Sequence, residues 1–312
     1  MRILVTGATG FLGAPLVTKL LSEGHDPRIL TRQAPKRVSK SVPYFIWAGS
    51  ESGPVPAEAL EGVEAVLHLA GESIGAWPWN AERKRRILES RVLGTKALVE
   101  AMSRCATPPL SFISASAIGF YGDGGQTECR ESDVRGSGFL AAVVGAWEAE
   151  IFKAKELGIR TVAVRTGLVL GSAGANAGER NSKPAGALEK MVPIFRAGLG
   201  AVMGTGRQWW SWIHLDDSVG IFLHALCSAG LHGPVNACAP EPVTNREFSR
   251  ALAAVLHRPL LFKAPAFALK LCLGDMADTV LKSQRADATK ILESGYRFQF
   301  PSLDKALRKI LV

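Results

Sequence analysis

Three glycines at intervals of three constrain this chain more than any other feature. The segment Thr6-Gly7-Ala8-Thr9-Gly10-Phe11-Leu12-Gly13 stands between the apolar run Ile3-Leu4-Val5 and a helical pattern that continues through about Ser22. Glycine at the first position permits a tight turn, at the second it lets the backbone approach a ligand, and at the third it lets the helix pack closely on the strand. The start of such a helix aims N–H groups and the positive end of its dipole at whatever lies beyond the turn, an arrangement suited to phosphate. The spacing therefore predicts a dinucleotide-binding turn, with Gly7, Thr9, Gly10, Phe11, Leu12 and Gly13 at the cofactor.

The rest of the first half repeats the strand-then-helix alternation. Strands are expected at Arg28–Thr31, Tyr44–Trp47, Ala65–Leu69, Ser111–Ser116 and Thr161–Val164, with helices over about 81–102 and 141–157. Alternation of this kind implies an α/β fold, a Rossmann doubly wound parallel sheet with ligands at the carboxyl ends of its strands. The dinucleotide-binding domain is expected over residues 1–171, with segments from about 205–240 returning to it. Residues 172–312 are expected to form a smaller substrate-side region, including a small carboxy-terminal domain over about 264–312. Within it Ser172–Gly186, rich in Gly, Ala, Asn and Ser, reads as one long loop and a candidate lid. Helices are expected at Asn245–Leu256 and Phe267–Leu273, and a strand at Val235–Cys238.

The residues at the end of the second strand choose between the two nicotinamide cofactors. An Asp or Glu there would hold a ribose 2′-hydroxyl, whereas this chain has Thr31-Arg32. A guanidinium matches phosphate geometry with paired donors, so Arg32 points to a 2′-phosphate and hence to NADP(H). Asp26 lies at the start of that strand and does not compete.

Several further motifs place the chain near a known family. Leu69-Ala70-Gly71 after the fourth strand and Ser114-Ala-Ser-Ala-Ile-Gly-Phe-Tyr-Gly122 after the fifth resemble the extended short-chain dehydrogenase/reductases. His68-Leu-Ala-Gly-Glu72, Ser90-Arg91, Trp147-Glu148, Arg165-Thr-Gly-Leu-Val-Leu-Gly171, Trp212-Ile-His-Leu-Asp-Asp217 and Gly295-Tyr-Arg-Phe298 resemble an atypical branch of it. This is the branch of epimerase-family proteins with a small carboxy-terminal domain, sometimes labelled cell-division inhibitors. The resemblance implies that Leu69, Ala70 and Gly71 line the cofactor's ribose and that Arg91 lies near the phosphates or the cleft; a helix-face ion pair is the other reading of Arg91.

The resemblance also exposes a gap. Working members of the wider family use a tyrosine four residues before a lysine, whose charge lowers the tyrosine's pKa. Here the residues four beyond Tyr44, Tyr121 and Tyr296 are Ala48, Gly125 and Phe300, and Val143 and Trp147 fall at the expected positions. The substitutes available as catalytic groups are Ser116, Tyr121 and Glu72. Packing is the competing reading for Tyr121, and a structural ion pair for Glu148.

Composition narrows the function classes. The chain of 312 residues carries a formal charge of +9, but its densest basic run, Arg83 to Arg86, follows Glu82 in a helical stretch without interleaved aromatics, as a solvated face would. A nucleic-acid partner is not expected. The five cysteines show no metal or disulfide spacing, no metal site is expected, and no apolar run reaches the roughly 20 residues of a membrane span. Met1-Arg2 runs straight into the first strand, so a cytoplasmic location without a signal peptide is expected. The reading is an NADP(H)-binding oxidoreductase or epimerase-like enzyme acting on a small carbonyl, hydroxyl or sugar-like substrate. The alternative is a non-catalytic NADP(H)-binding sensor or regulatory protein, linked to cell division.

Overall fold

The computed structural model describes residues 1–34, 42–49, 53–173 and 183–312. Its centre is a seven-stranded parallel sheet. Five strands are β1 (Arg2–Thr6), β2 (Asp26–Thr31), β3 (Tyr44–Ile46), β4 (Ala65–His68) and β5 (Ser111–Ala117), joined by strands Arg160–Thr166 and Gly233–Ala237. The spatial order runs β3, β2, β1, β4, β5, then Arg160–Thr166, then Gly233–Ala237. Chain order thus reverses between β1 and β4, which opens a crevice above their carboxyl ends.

Side-chain alternation builds a core on each face. Ile3 and Val5 of β1 join Leu16 and Leu20 of α1 (Gly13–Ser22), with Ile113, Val162 and Phe222, on one side. Leu4 points the other way, into Val66, Phe112, Leu98 and Met102 of α2 (Ala81–Ser103), and Trp147 and Ile151 of α3 (Phe139–Phe152). Each such large apolar side chain contributes roughly 1.5–3 kcal/mol of burial, and a one-residue slip of β1 would exchange the two sets. Register brings Thr6 opposite Leu30 and His68, and His68 opposite Ser114, so the ends of β2, β1 and β4 line up around the crevice while β5 runs on to Ala117.

A third core, of Val192, Phe195, Trp212, Phe248, Leu252 and Leu307, lies beyond the sheet's carboxyl edge. Helix Asn245–Val255 begins at a capping box, in which Thr244 and Glu247 satisfy each other's free backbone N–H groups. The carboxy-terminal segment is tied back through Asp217, fully buried in helix Leu215–Cys227. Its carboxylate accepts hydrogen bonds from the Tyr296 hydroxyl (3.1 Å) and the backbone N–H groups of Gln299 (2.7 Å) and Phe300 (2.9 Å). The Asp-Asp of the tryptophan-rich motif is thus partly a fastening for the chain's last segment.

Two elements depart from the expected pattern. Ser172–Gly186 is not one long loop: strand Leu168–Ala173 runs into it, and Lys183–Gly186 pairs antiparallel with that strand. The backbone of small residues pairs readily where their composition suggested only a loop, and the remaining lid candidate, 174–182, lies outside the described residues. The helix expected over 141–157 ends at Phe152 and tightens into a 3₁₀ turn over Lys153–Leu157, closed by Gly158 in the left-handed conformation.

Candidate functional site

The glycine turn has the close contacts that its spacing demands. Gly7 has φ +70°, and a Cβ placed there would lie 2.7 Å from the Leu69 carbonyl carbon and oxygen. A Cβ on Gly13 would stand 2.1 Å from the Gly7 oxygen, so helix α1 could not start where it does with any other residue. Thr9 and Gly10 are exposed, and the first turn of α1 has no side-chain cap. Phe11 turns its ring away from the turn: Cβ atoms added to Gly186 and Gly171 would come within 2.8 and 3.1 Å of it. Leu12 packs on the apolar core beneath.

Arg32 is exposed just past β2 and has no hydrogen bond or ion pair to any described residue. Thr31 spends its hydroxyl on the Gln33 carbonyl (2.9 Å).

A buried polar chain fixes Leu69 and Ala70 against the turn. The backbone N–H groups of Leu69 (3.2 Å) and Ala70 (3.1 Å) both donate to the Thr6 hydroxyl. That oxygen's own proton then goes to His68 Nδ1, 2.7 Å away. The other ring nitrogen, Nε2, therefore carries the imidazole proton and donates to Thr95 Oγ1 (3.0 Å), which also accepts from the Trp147 indole N–H (2.9 Å). Burial, reinforced by the nearby Arg91 charge, lowers the His68 pKa to about 4, which keeps the ring neutral and this tautomer in place. Residues from β1, β4, α2 and α3 are joined in one hydrogen-bonded line.

At the far end of that line stands Arg91. Its guanidinium lies 5.3 Å from the Trp147 ring centroid, and its Nη1 donates to the carbonyls of Glu72 (3.0 Å) and Ile87 (3.1 Å). Gly71 faces it so closely that a Cβ there would be 3.2 Å from Arg91 Cζ. Desolvation lowers the Arg91 pKa to about 10, with Glu72 opposing, so the group remains a cation at neutral pH.

The three candidate catalytic side chains fall in two places. Glu72 sits at the mouth, partly exposed, ion-paired to Arg83 at 2.8 Å. Ser116 and Tyr121 belong to a deeper cluster. Ser116 donates to Glu148 Oε1 (2.6 Å), and Glu148 is clasped by Arg165 through two bonds of 2.8 Å. Arg165 also donates to the Tyr121 oxygen (3.0 Å), whose proton goes to Asn236 Oδ1 (2.7 Å), and burial raises the phenol's pKa well above its ordinary value. Arg165 and Glu148 are both almost completely buried, and the guanidinium rests 3.6 Å from the Phe120 ring centroid. Val143 is buried against Trp79 and Ile87.

Sequence reasoning reached these residues singly but missed their joining. Arg165 entered only as part of a motif, and Thr6, Thr95 and Asn236 were not singled out for a role. The available signal was a charged or polar residue ending an otherwise apolar strand: His68 after Ala65-Val66-Leu67 and Arg165 after Val162-Ala163-Val164. The basic run on α2 is largely taken up internally. Arg85 pairs with Glu82 and Glu89, Arg83 with Glu72, and Lys84 with Asp275. Among the described residues no helix is long and apolar enough to cross a membrane.

Comparison with known proteins agrees with this geometry. Residues 3–238 match the NAD dependent epimerase/dehydratase family, and residues 264–310 match a domain of unknown function, DUF1731. The epimerase family protein YfhF of Bacillus subtilis (strain 168) is 35% identical over 312 residues, covering 100% of this chain and 98% of its own. The crystal structure of human epimerase family protein SDR39U1 (isoform 2) with NADPH superposes with a TM-score of 0.85 at 31% identity, over 99% of each chain. A UDP-glucose 4-epimerase from Thermotoga maritima, with a TM-score of 0.76 at 20% identity over 99% of this chain and 97% of its own, shares the fold.

Proposed function

The chain belongs to the NAD dependent epimerase/dehydratase family, and from that premise we propose that it is an NADP(H)-binding oxidoreductase or epimerase-like enzyme for a small carbonyl, hydroxyl or sugar-like substrate. The observation that carries the cofactor choice is Arg32, an unpaired guanidinium at the end of β2 where no carboxylate stands to hold a 2′-hydroxyl. The residues fit such a cofactor. Gly7 and Gly13 have no room for side chains, Thr9 and Gly10 are open, and Leu69 to Gly71 lie against the turn. That the human relative was crystallised with NADPH supports the same choice.

The chemistry such a cofactor supplies is hydride transfer at its nicotinamide ring. The chain's part is to bind and orient it, and to move a proton. In this reading the substrate lies between the carboxyl edge of the sheet and residues 172–312, with the small carboxy-terminal domain over about 264–312. Of the three candidate proton groups, the Ser116 and Tyr121 protons are already committed to Glu148 and Asn236. Glu72 is the one at the cleft mouth, so it leads as the group that exchanges a proton with substrate.

A second reading has its own observation in favour. Val143 and Trp147 occupy the positions where the wider family holds its tyrosine and lysine, and both are buried, as suits a protein that binds NADP(H) to sense or regulate. Titration with NADPH and NADH, then NADPH absorbance against aldehydes, ketones and nucleotide sugars, separates the readings. Preferential NADPH binding with turnover abolished by Glu72→Gln supports the enzyme. Tight binding without turnover supports the sensor, and equal or absent binding of both cofactors overturns the role given to Arg32.

A further inference from the structure

Two stretches that fold against each other beyond the sheet carry no carboxylate. Residues 190–215 and 248–274 contain no Asp or Glu, while Arg196, Arg258, Lys263 and Lys270 are among their cations. Tertiary structure joins the two. Strand Phe262–Ala264 pairs parallel with strand Ala201–Met203, Arg258 Nε donates to the Arg196 carbonyl (2.8 Å), and the Leu199 N–H donates to the Ile194 carbonyl (3.1 Å). None of the four cations forms an ion pair with a described residue.

The same stretches leave large apolar side chains in water. Over residues 256–276 nothing is buried. Leu261, Phe267 and Leu271 are 76%, 74% and 85% exposed, and Phe262, Ile194 and Leu199 are exposed as well. Phe267 and Leu271 stand one turn apart on the same face of helix Ala266–Leu273, which has no buried residue. Single exposed apolar side chains need no explanation, but a group of them among unpaired cations marks a surface that something covers. Side chains three-quarters exposed stand out from the surface rather than line a groove, which suits a deformable partner over a rigid one. A second copy docked face to face would set the same cations against one another. Protruding Leu and Phe beside Lys and Arg are the combination that holds a segment at the interface of an anionic bilayer. At 8 residues the helix is about 12 Å long, against a hydrocarbon core of about 30 Å, so it would lie on a bilayer and not cross it.

We propose that this carboxylate-free face docks reversibly on a membrane surface rich in anionic lipid. Leu261, Phe262, Phe267 and Leu271 enter the headgroup layer, and Arg196, Arg258, Lys263 and Lys270 meet the lipid phosphates. The chain's formal charge of +9 thereby finds its partner. The basic run on α2 is spent on Glu72, Glu82, Glu89 and Asp275, whereas these cations are not spent. The glycine turn and the buried line from Thr6 to Trp147 belong to other elements, so docking and cofactor binding are separate properties.

The test is co-sedimentation of the full chain with vesicles, either of phosphatidylcholine alone or of an equal mixture of phosphatidylcholine and phosphatidylglycerol. The wild type should be retained by the mixed vesicles and not by the neutral ones, and retention should fall as salt shortens the screening length from about 10 Å at 0.1 M to about 3 Å at 1 M. Each cation removed should weaken partitioning about 5-fold, so Lys263→Gln with Lys270→Gln should lose about 25-fold. Phe267→Ser with Leu271→Ser should lose at least about 10-fold. Both variants alter exposed side chains only, and the lysine pair serves if the apolar pair fails to fold. Absence of wild-type retention, equal retention on both vesicles, or unchanged retention in both variants overturns the proposal. Two further outcomes overturn it by naming another occupant. One is a wild type that ignores both vesicles and binds polyglutamate, which assigns the face to an acidic protein. The other is a wild-type dimer in sedimentation velocity that Phe267→Ser with Leu271→Ser makes monomeric, which assigns it to a second copy.

Discussion

Mild acid should lower the stability of the whole fold through one buried imidazole. His68 is 1% exposed and keeps a folded-state pKa of about 4, against 6.5 when unfolded. Between those values the unfolded chain binds a proton that the folded chain refuses, so stability falls as pH drops. The contribution is fully present above about pH 7.5, and at pH 4.5 about 2.5 kcal/mol of it is gone. His214, also lowered to about 4 by burial, acts in the same direction, and carboxylates add their own slopes. A difference experiment isolates His68. Urea unfolding of the wild type and of His68→Gln, at constant ionic strength from pH 7.5 to 4.5, should show the wild type losing about 2.5 kcal/mol more than the variant. The cost of the substitution itself cancels, because only the slopes are compared. Parallel profiles, agreeing within about 0.5 kcal/mol against the predicted 2.5, would refute the claim that the folded chain holds this ring neutral. The His68 contribution to NADPH affinity should hold over that window and fall only near pH 4, where the folded ring itself takes a proton and can no longer accept from Thr6, which holds Leu69 and Ala70.

Three other perturbations probe the scaffold. Asp217→Asn sets an amide N–H against the backbone donors of Gln299 and Phe300 and should cost about 2–4 kcal/mol; limited proteolysis should then release fragments cut near the carboxy terminus, and an unchanged digestion pattern counts against the fastening. Arg165→Met leaves Glu148 buried without its cation and should destabilise by about 3–5 kcal/mol, whereas adding Glu148→Gln should recover part of the loss; strict additivity in that double-mutant cycle contradicts the coupling drawn from the two 2.8 Å bonds. Gly13→Ala forces a methyl group toward the Gly7 oxygen, so NADPH binding should fall at least about 10-fold, the equivalent of 1.4 kcal/mol, and a variant that binds normally would show that the turn can relax.

The order of strands and helices was legible because its causes are local. Ile3, Leu4 and Val5 alternate between two cores, and the Thr6–Gly13 spacing admits few other turns. Most helix and strand ends moved by a residue or two, while the helix expected over 141–157 ends at Phe152 and continues only as a 3₁₀ turn. The Ser172–Gly186 segment misled because small polar residues resemble a loop until a partner strand claims their backbone. Within the candidate site, Gly7, Gly10, Gly13 and Arg32 announced themselves through spacing and position. The partners of Ser116, Tyr121 and Glu72 did not, because hydrogen bonding there joins residues far apart in sequence.

The sequence by itself determined the doubly wound sheet, the glycine turn, the missing Tyr and Lys pair and the cation after β2, all of which follow from short-range sterics, side-chain periodicity or the residue present at a known place. Only the tertiary structure decided that Glu148 and Arg165 neutralise each other, that Tyr121 spends its proton on Asn236 across 115 positions, and that Arg91 rests on Trp147 with donors to spare. Those outcomes depend on which groups lose water together, and burial is a property of the whole chain's packing rather than of any segment.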